Sequence, residues 1–217
     1  MARQTAISIN TIPIGPLGII GMPGCEELTD KIDQYLVKWR KTQASEHAES
    51  IAFFGYQRDT YKIDVSIPRF GSGEGKGVIN ESVRGYDIYI VCDVFNYSCS
   101  YDMYGRKVYM SPDDHFADLK RVISALCSKP KRVSVIMPML YEGRQHKRSS
   151  RESLDCAMAL KELVHLGVEN IITFDAHDQR VQNAIPDKSF ENVMPTYQMI
   201  KALVNNVEDL NVDKDHL

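Results

Sequence analysis

A strand, helix, strand succession in the second half of the chain limits the fold more than any other feature. Residues 131–138 form a short apolar run, with Val133, Val135, Ile136 and Met137, ended by Pro138, which cannot donate to a central ladder. Across 153–168, Leu154, Ala157, Met158, Leu160, Leu163, Val164 and Leu166 recur at helical spacing, and Gly167 supplies a stop. A second buried run, Ile171, Ile172 and Phe174, follows at 170–174. These segments make a βαβ unit of ordinary length, and such units build a mainly parallel sheet flanked by helices. The expected fold is therefore a three-layer α/β domain. In sheets of this kind, ligands gather at the carboxyl ends of the strands.

Polar chemistry is concentrated at those two strand ends. Arg144, His146, Lys147, Arg148 and Arg151 follow the first strand, and Asp175 and His177 follow the second. Cations beside an acid–imidazole pair suit a phosphate-rich ligand held with a divalent metal ion. Each feature alone has a duller reading. A basic cluster ahead of a helix is ordinarily a solvated surface, and an Asp-x-His triplet often satisfies local backbone groups. The glycines at 71, 73, 75 and 77 lack the Lys-Ser/Thr ending of a P-loop and read first as a flexible loop.

The remaining segments read as ordinary α/β architecture. A short strand spans 17–20, and a helix over 26–39 aligns Leu28, Ile32, Tyr35, Leu36 and Trp39. Alternation over 61–67 predicts a half-exposed antiparallel strand, and 87–91 reads as a buried one. A helix is expected over 113–127, with Phe116, Leu119, Val122, Ile123 and Leu126 on one face and Ser111 or Asp113 as cap. The polar, acidic stretch 205–217 is expected to fray. No internal repeat is evident.

Composition narrows the partners. With 217 residues and a net charge of −3, the chain favours neither nucleic acid nor an acidic membrane, so its electrostatics must act locally. Cys25, Cys92, Cys99, Cys127 and Cys156 show no CxxC pair, which fits reduced thiols in a cytoplasmic protein. No run approaches the roughly 18 apolar residues that a bilayer span needs, and no signal-peptide core follows the first residues.

Four motifs, in order, carry a family resemblance. Residues 138–152, with YEGRQ at 141–145 and SRE at 150–152, resemble the nucleotide-binding loop of ribose-phosphate pyrophosphokinases, also called phosphoribosyl pyrophosphate synthetases. DAHDQRVQ at 175–182 is similar to their metal and catalytic DLHxxQIQ segment. FGSGE at 70–74, INESVRG at 79–85 and DIYIV at 87–91 resemble their FxDGE…IxESIRG-DVYII stretch, and GMPGCEEL at 21–28 is weakly like their first strand-to-helix turn. The resemblance implies a phosphoribosyltransferase-like fold and a transferase that moves the diphosphoryl group of Mg-ATP to the C1 hydroxyl of ribose 5-phosphate. The products would be phosphoribosyl pyrophosphate and AMP, for nucleotide biosynthesis. It implies Arg144, Gln145 and His146 as ATP contacts, and Phe70, Ser72, Gly73 and Glu74 as ATP contacts on the adenine side from a neighbouring subunit of a homo-oligomer. It further implies His177 as the catalytic residue and Asp175, His177, Asp187 and Glu191 as the acidic and imidazole groups around Mg2+.

Departures from the pattern accompany the matches. His146 stands where the family carries an aspartate, and Ser72 where it carries an acid. Insertions occupy roughly 41–61 and 97–113. The family's second α/β half, with its Asp-Asp and threonine-rich ribose-phosphate turn, has no counterpart, because Asp113 and Asp114 lead into a helix. Residues 1–196 are therefore expected to form the amino-terminal domain and 197–217 the start of a linker or second domain, with the chain inactive by itself. The alternative is a noncatalytic homologue that binds nucleotide or regulates active subunits.

Overall fold

The computed structural model describes residues 13–46 and 57–207. Five strands form one parallel sheet: β1 (Leu17–Gly21), β4 (Asp87–Val91), β7 (Arg132–Met137), β8 (Asn170–Phe174) and β9 (Ser189–Val193), in that spatial order. In register, Leu17 pairs with Asp87, Asp87 with Arg132, Ser134 with Asn170, and Asn170 with Ser189. All five strands therefore send their outgoing loops to the same rim.

Side-chain alternation sends neighbouring residues of a strand to opposite faces. On one face Ile20, Ile90, Val135 and Ile171 meet α2 (Pro112–Ala125) and α3 (Asp155–His165) through Phe116, Leu119, Val122, Leu160 and Leu163. On the other, Ile19, Val91 and Ile136 meet α1 (Glu26–Glu46) through Ile32, Leu36 and Val37. The three layers expected from the sequence are present there. Over β8 and β9 the α1 face is open, and Phe174 and Val193 are each 40% exposed on it.

Most expected elements form where the apolar pattern places them. Ser111 is the cap of α2, exchanging bonds with Asp114 in a capping box ahead of Pro112. α3 starts two residues later than the pattern suggests, because the Ser153 carbonyl accepts from the Gln145 side chain at 2.9 Å. α1 continues past Trp39 to Glu46, through a polar stretch that carries no stop signal.

Residues 61–67 alternate as expected, with Tyr61 and Ile63 buried, but their pairing is mostly parallel. Ile19 donates to the Tyr61 carbonyl and accepts from Ile63, both at 2.8 Å. Only β2 (Val65–Ser66) pairs antiparallel, with β3 (Val78–Ile79). The glycine-rich loop is a defined turn: Phe70 N–H donates to Glu74, Gly73 N–H donates to Phe70, and Gly73 takes φ +91°. Of the two insertions, residues 47–56 lie outside the described residues. The other folds into a hairpin of β5 (Ser100–Met103) and β6 (Arg106–Tyr109), whose Tyr104 N–H reaches Gly71 O at 2.9 Å. The stretch expected to fray begins inside α4 (Thr196–Asn206), which is helical through Asn206, and residues 208–217 lie outside the described residues.

Candidate functional site

Between the loop leaving β7 and the turn leaving β8 lies a cleft of about 560 Å³. Phe95, Pro112, Leu140 and Phe174 give it apolar walls, and Glu142, Arg144, Asp175 and His177 give it a polar rim. A cleft at the carboxyl ends of adjacent parallel strands follows from the topology, since both loops must leave on that side.

The β7 loop is shaped by contacts to α2. Tyr141 stacks on Phe116 with ring centroids 4.2 Å apart and donates its hydroxyl to Asp113 Oδ1 at 2.7 Å. Burial, and then the facing Asp113, push the Tyr141 phenol well above the ordinary tyrosine range, so it stays a donor. Glu142 takes φ +55°, and Gly143 N–H and Gln145 N–H donate back to Leu140 and Glu142. Burial first, then the charges of Asp155 and Asp113, raise the Glu142 carboxyl. The resulting tight turn leaves Arg144 exposed at the rim.

The β8 turn is held by β9. Asp175 adopts φ +44°, a region that Asp tolerates better than most residues. Its N–H donates to the Val193 carbonyl at 3.1 Å, and the next N–H, of Ala176, donates to Asn192 Oδ1 at 2.8 Å. His177 is thereby presented at the rim, exposed, with its ring centroid 5.2 Å from that of His146. Beyond it, Asp178 caps a 3-10 turn (Gln179–Ala184) by accepting from Arg180 N–H. Bonds from the Arg180 side chain, then from its backbone, hold the Asp178 carboxyl well below the usual carboxylate range.

Not every residue singled out from the sequence meets here. Arg144, Asp175 and His177 line the cleft together. Gln145 and His146 do not: Gln145 turns its amide to Ser153, and His146 turns its ring to Asp178. Phe70, Ser72, Gly73 and Glu74 also lie off the cleft, on a separate loop where Ser72 donates to Glu74 and Phe70 is 57% exposed. Asp187 enters β9, and in a parallel sheet that entry lies at the opposite end from the exit of β8. Glu191 pairs with Ile172, below the rim on the edge strand. Of the four groups expected around the metal, Asp175 and His177 line the cleft, whereas Asp187 and Glu191 do not. Among the described residues no three His, Cys, Asp or Glu side chains converge to hold a metal ion. The Asp175 carboxylate at the rim is the kind of oxygen donor that suits Mg2+, which keeps several waters and takes further oxygens from substrate phosphates.

The sequence reading missed Asp178, Arg180, Asn192 and the Tyr141–Phe116–Asp113 contact. An acid two residues ahead of an Arg, just after a strand, was the available signal for Asp178 as a cap.

Fold and cleft define the class: a parallel α/β domain with its candidate site at the carboxyl rim of β7 and β8. A family model described as the N-terminal domain of ribose phosphate pyrophosphokinase matches residues 17–167, and the chain belongs to that family. It is 26% identical over 165 residues to ribose-phosphate pyrophosphokinase 1 of Schizosaccharomyces pombe, covering 75% of this chain and 37% of the relative. It is 25% identical over 150 residues to the ribose-phosphate pyrophosphokinase of Vibrio cholerae, covering 67% and 43%. The crystal structure of phosphoribosylpyrophosphate synthetase from Mycobacterium smegmatis shares the fold, with a TM-score of 0.63 at 18% identity over 88% of this chain and 52% of that one. The chain thus spans less than half the length of these two curated relatives.

Proposed function

We propose that this chain is the ATP-side domain of a ribose-phosphate pyrophosphokinase, acting with Mg2+ on ATP and ribose 5-phosphate. The observation that carries the reading is the meeting of Arg144 with Asp175 and His177 across one cleft at the rim of the parallel sheet. The planar guanidinium of Arg144 suits two phosphate oxygens at once. Asp175 and His177 would hold Mg2+ together with phosphate oxygens, and the metal would offset charge that develops on the polyphosphate. In the transfer, the C1 hydroxyl oxygen of the sugar bonds to the β-phosphorus and loses its proton to solvent, the bond from that phosphorus to the α,β-bridging oxygen breaks, and AMP departs with the electron pair.

Other features support the wider reading. The exposed Phe70 loop, anchored away from the cleft, suits a contribution to the nucleotide site of another copy in a homo-oligomer. α4 buries none of its residues, as expected if it opens a second domain near residue 197. The five cysteines are free, as in a cytoplasmic protein. Among the described residues no helix is long and apolar enough to cross a membrane.

The test is calorimetric titration of the 217-residue chain with Mg-ATP, with Arg144→Ala as comparison, followed by an assay of AMP release in the longest reading frame. Binding that weakens about tenfold or more in the variant, and AMP release that requires ribose 5-phosphate, are expected. Binding without such release would leave a noncatalytic nucleotide-binding homologue. Failure to bind Mg-ATP would overturn the reading.

A further inference from the structure

Arg144, Lys147, Arg148 and Arg151 are exposed, whereas the side chain of His146, in the same loop, is only 12% exposed. Its Nδ1 lies 3.0 Å from the Arg144 carbonyl oxygen, and its Nε2 lies 3.4 Å from Asp178 Oδ2. One ring therefore bridges the backbone of the β7 loop and a carboxylate of the β8 turn. Asp178, 14% exposed, is also held by Arg180, which donates to Oδ1 from its backbone N–H at 2.8 Å and from Nε at 3.0 Å, and whose side chain reaches Oδ2, the oxygen facing His146, as well. Neither His146 nor Asp178 lines the cleft, yet their neighbours Arg144 and His177 do.

We propose that His146 and Asp178 form a latch that fastens the β7 loop to the β8 turn and so sets the spacing of Arg144 and His177 across the cleft. The two are positioning residues: they act on the ligand through Arg144 and His177, without touching it. The ligand in this role rests on the function proposed above, while the latch itself rests on geometry alone. His146 and Arg180 are also positions where the chain departs from the motifs it matches, which carry Asp and Gln there. Such a fastening matters because the β7 loop runs from Pro138 to Leu154 without a helix or strand of its own. Displacement of a charged contact by roughly 1 Å is enough to cost about a hundredfold in rate.

A double-mutant cycle on the 217-residue chain tests the latch, using His146→Ala, Asp178→Ala, the pair together and His146→Gln. Two readouts are taken: in the free chain, the His177 ring resonances by NMR and amide exchange over residues 143–148; with Mg-ATP, the Kd by calorimetry. Each alanine variant should move the His177 resonances and speed exchange, and the pair should do no more than either alone. Affinity for Mg-ATP should fall about tenfold (~1.4 kcal/mol) relative to wild type in each single variant, and by the same tenfold relative to wild type in the pair. His146→Gln, which keeps a donor able to reach Asp178, should recover most of both signals and guards against a variant that merely unfolds. Unmoved resonances and exchange in every variant, or effects that multiply to about a hundredfold in the pair, would overturn the latch. If the wild-type chain does not bind Mg-ATP, the function falls, and the free-chain readouts still decide the latch.

Discussion

Tyr141 lies flat on Phe116, with an interplanar angle of 11°, while its hydroxyl reaches Asp113 at 2.7 Å. The cleft-forming turn is thus pinned to α2 by one ring with two separable interactions. Tyr141→Phe keeps the stack and loses the hydrogen bond, so stability should fall by about 1 kcal/mol. Tyr141→Ala loses both and should cost about 2–3 kcal/mol. Urea unfolding of the two variants distinguishes them, and equal losses would contradict this division.

Asp118 sits between two guanidinium groups, Arg69 and Arg121, and its side chain is 2% exposed. Arg69 also lies over the Tyr101 ring, 4.3 Å from its centroid. Asp118→Ala would strand Arg69 without its carboxylate and should cost about 3 kcal/mol. Because Arg69 precedes the Phe70 loop, proteolytic cutting within 70–77 should rise in the variant. Unfolding curves with limited proteolysis measure both effects.

A side chain at Gly77 has nowhere to go. A Cβ there would stand 2.7 Å from the backbone carbon and oxygen of Arg121 in α2. Neither neighbour is a flexible tip, so Gly77→Ala should destabilise by about 2 kcal/mol by forcing the β3 strand off the helix. Thermal melts of Gly77→Ala and Gly71→Ala, whose Cβ would meet nothing within 4 Å, give the contrast.

Burial raises the Cys25 thiol to about 11, partly opposed by the N–H of Asp93 that points at its sulfur, and burial raises Cys156 to about 11 as well. A thiol whose pKa is higher in the folded state stabilises the fold below its ordinary value of 9.0 and loses that contribution as pH climbs through about 11. Stability should therefore drop between those two values. At pH 8 only about a thousandth of Cys25 is thiolate, so iodoacetamide should label exposed Cys127 first and spare Cys25, Cys92 and Cys156. Mass spectrometry of a labelling time course reads the order.

His177→Ala should lower turnover by about a hundredfold while changing Mg-ATP affinity much less, measured in the longest reading frame. Equal loss of affinity and turnover would make His177 a binding group only.

Four of the five sheet strands were legible in the sequence because they are largely apolar runs, and 87–91 and 170–174 fall on the expected residues, whereas β9, with Ser189, Glu191 and Asn192, carries no such run and was not. The partnership of 61–63 with β1 was not legible, because alternation reports exposure and is silent on direction. Arg144, Asp175 and His177 could be named because they lie in the loops that leave two strands the sequence marks. Asp187 could not be placed from sequence spacing: its distance from His177 along the chain is short, but the return through the 3-10 turn carries it to the far end of the sheet. The inward turn of His146 depends on a contact with a residue thirty-two positions away, and no local pattern encodes it.

The pairing of β1 with β4 has a consequence for biosynthesis. Leu17 meets its partner only when Asp87 has been made, and β4 then needs β7 beside it. A growing chain therefore exposes Ile19 and Ile20 while α1 and the 57–79 segment emerge, and contacts so distant in sequence close slowly. The early strand is the part of this protein that a chaperone has most reason to hold.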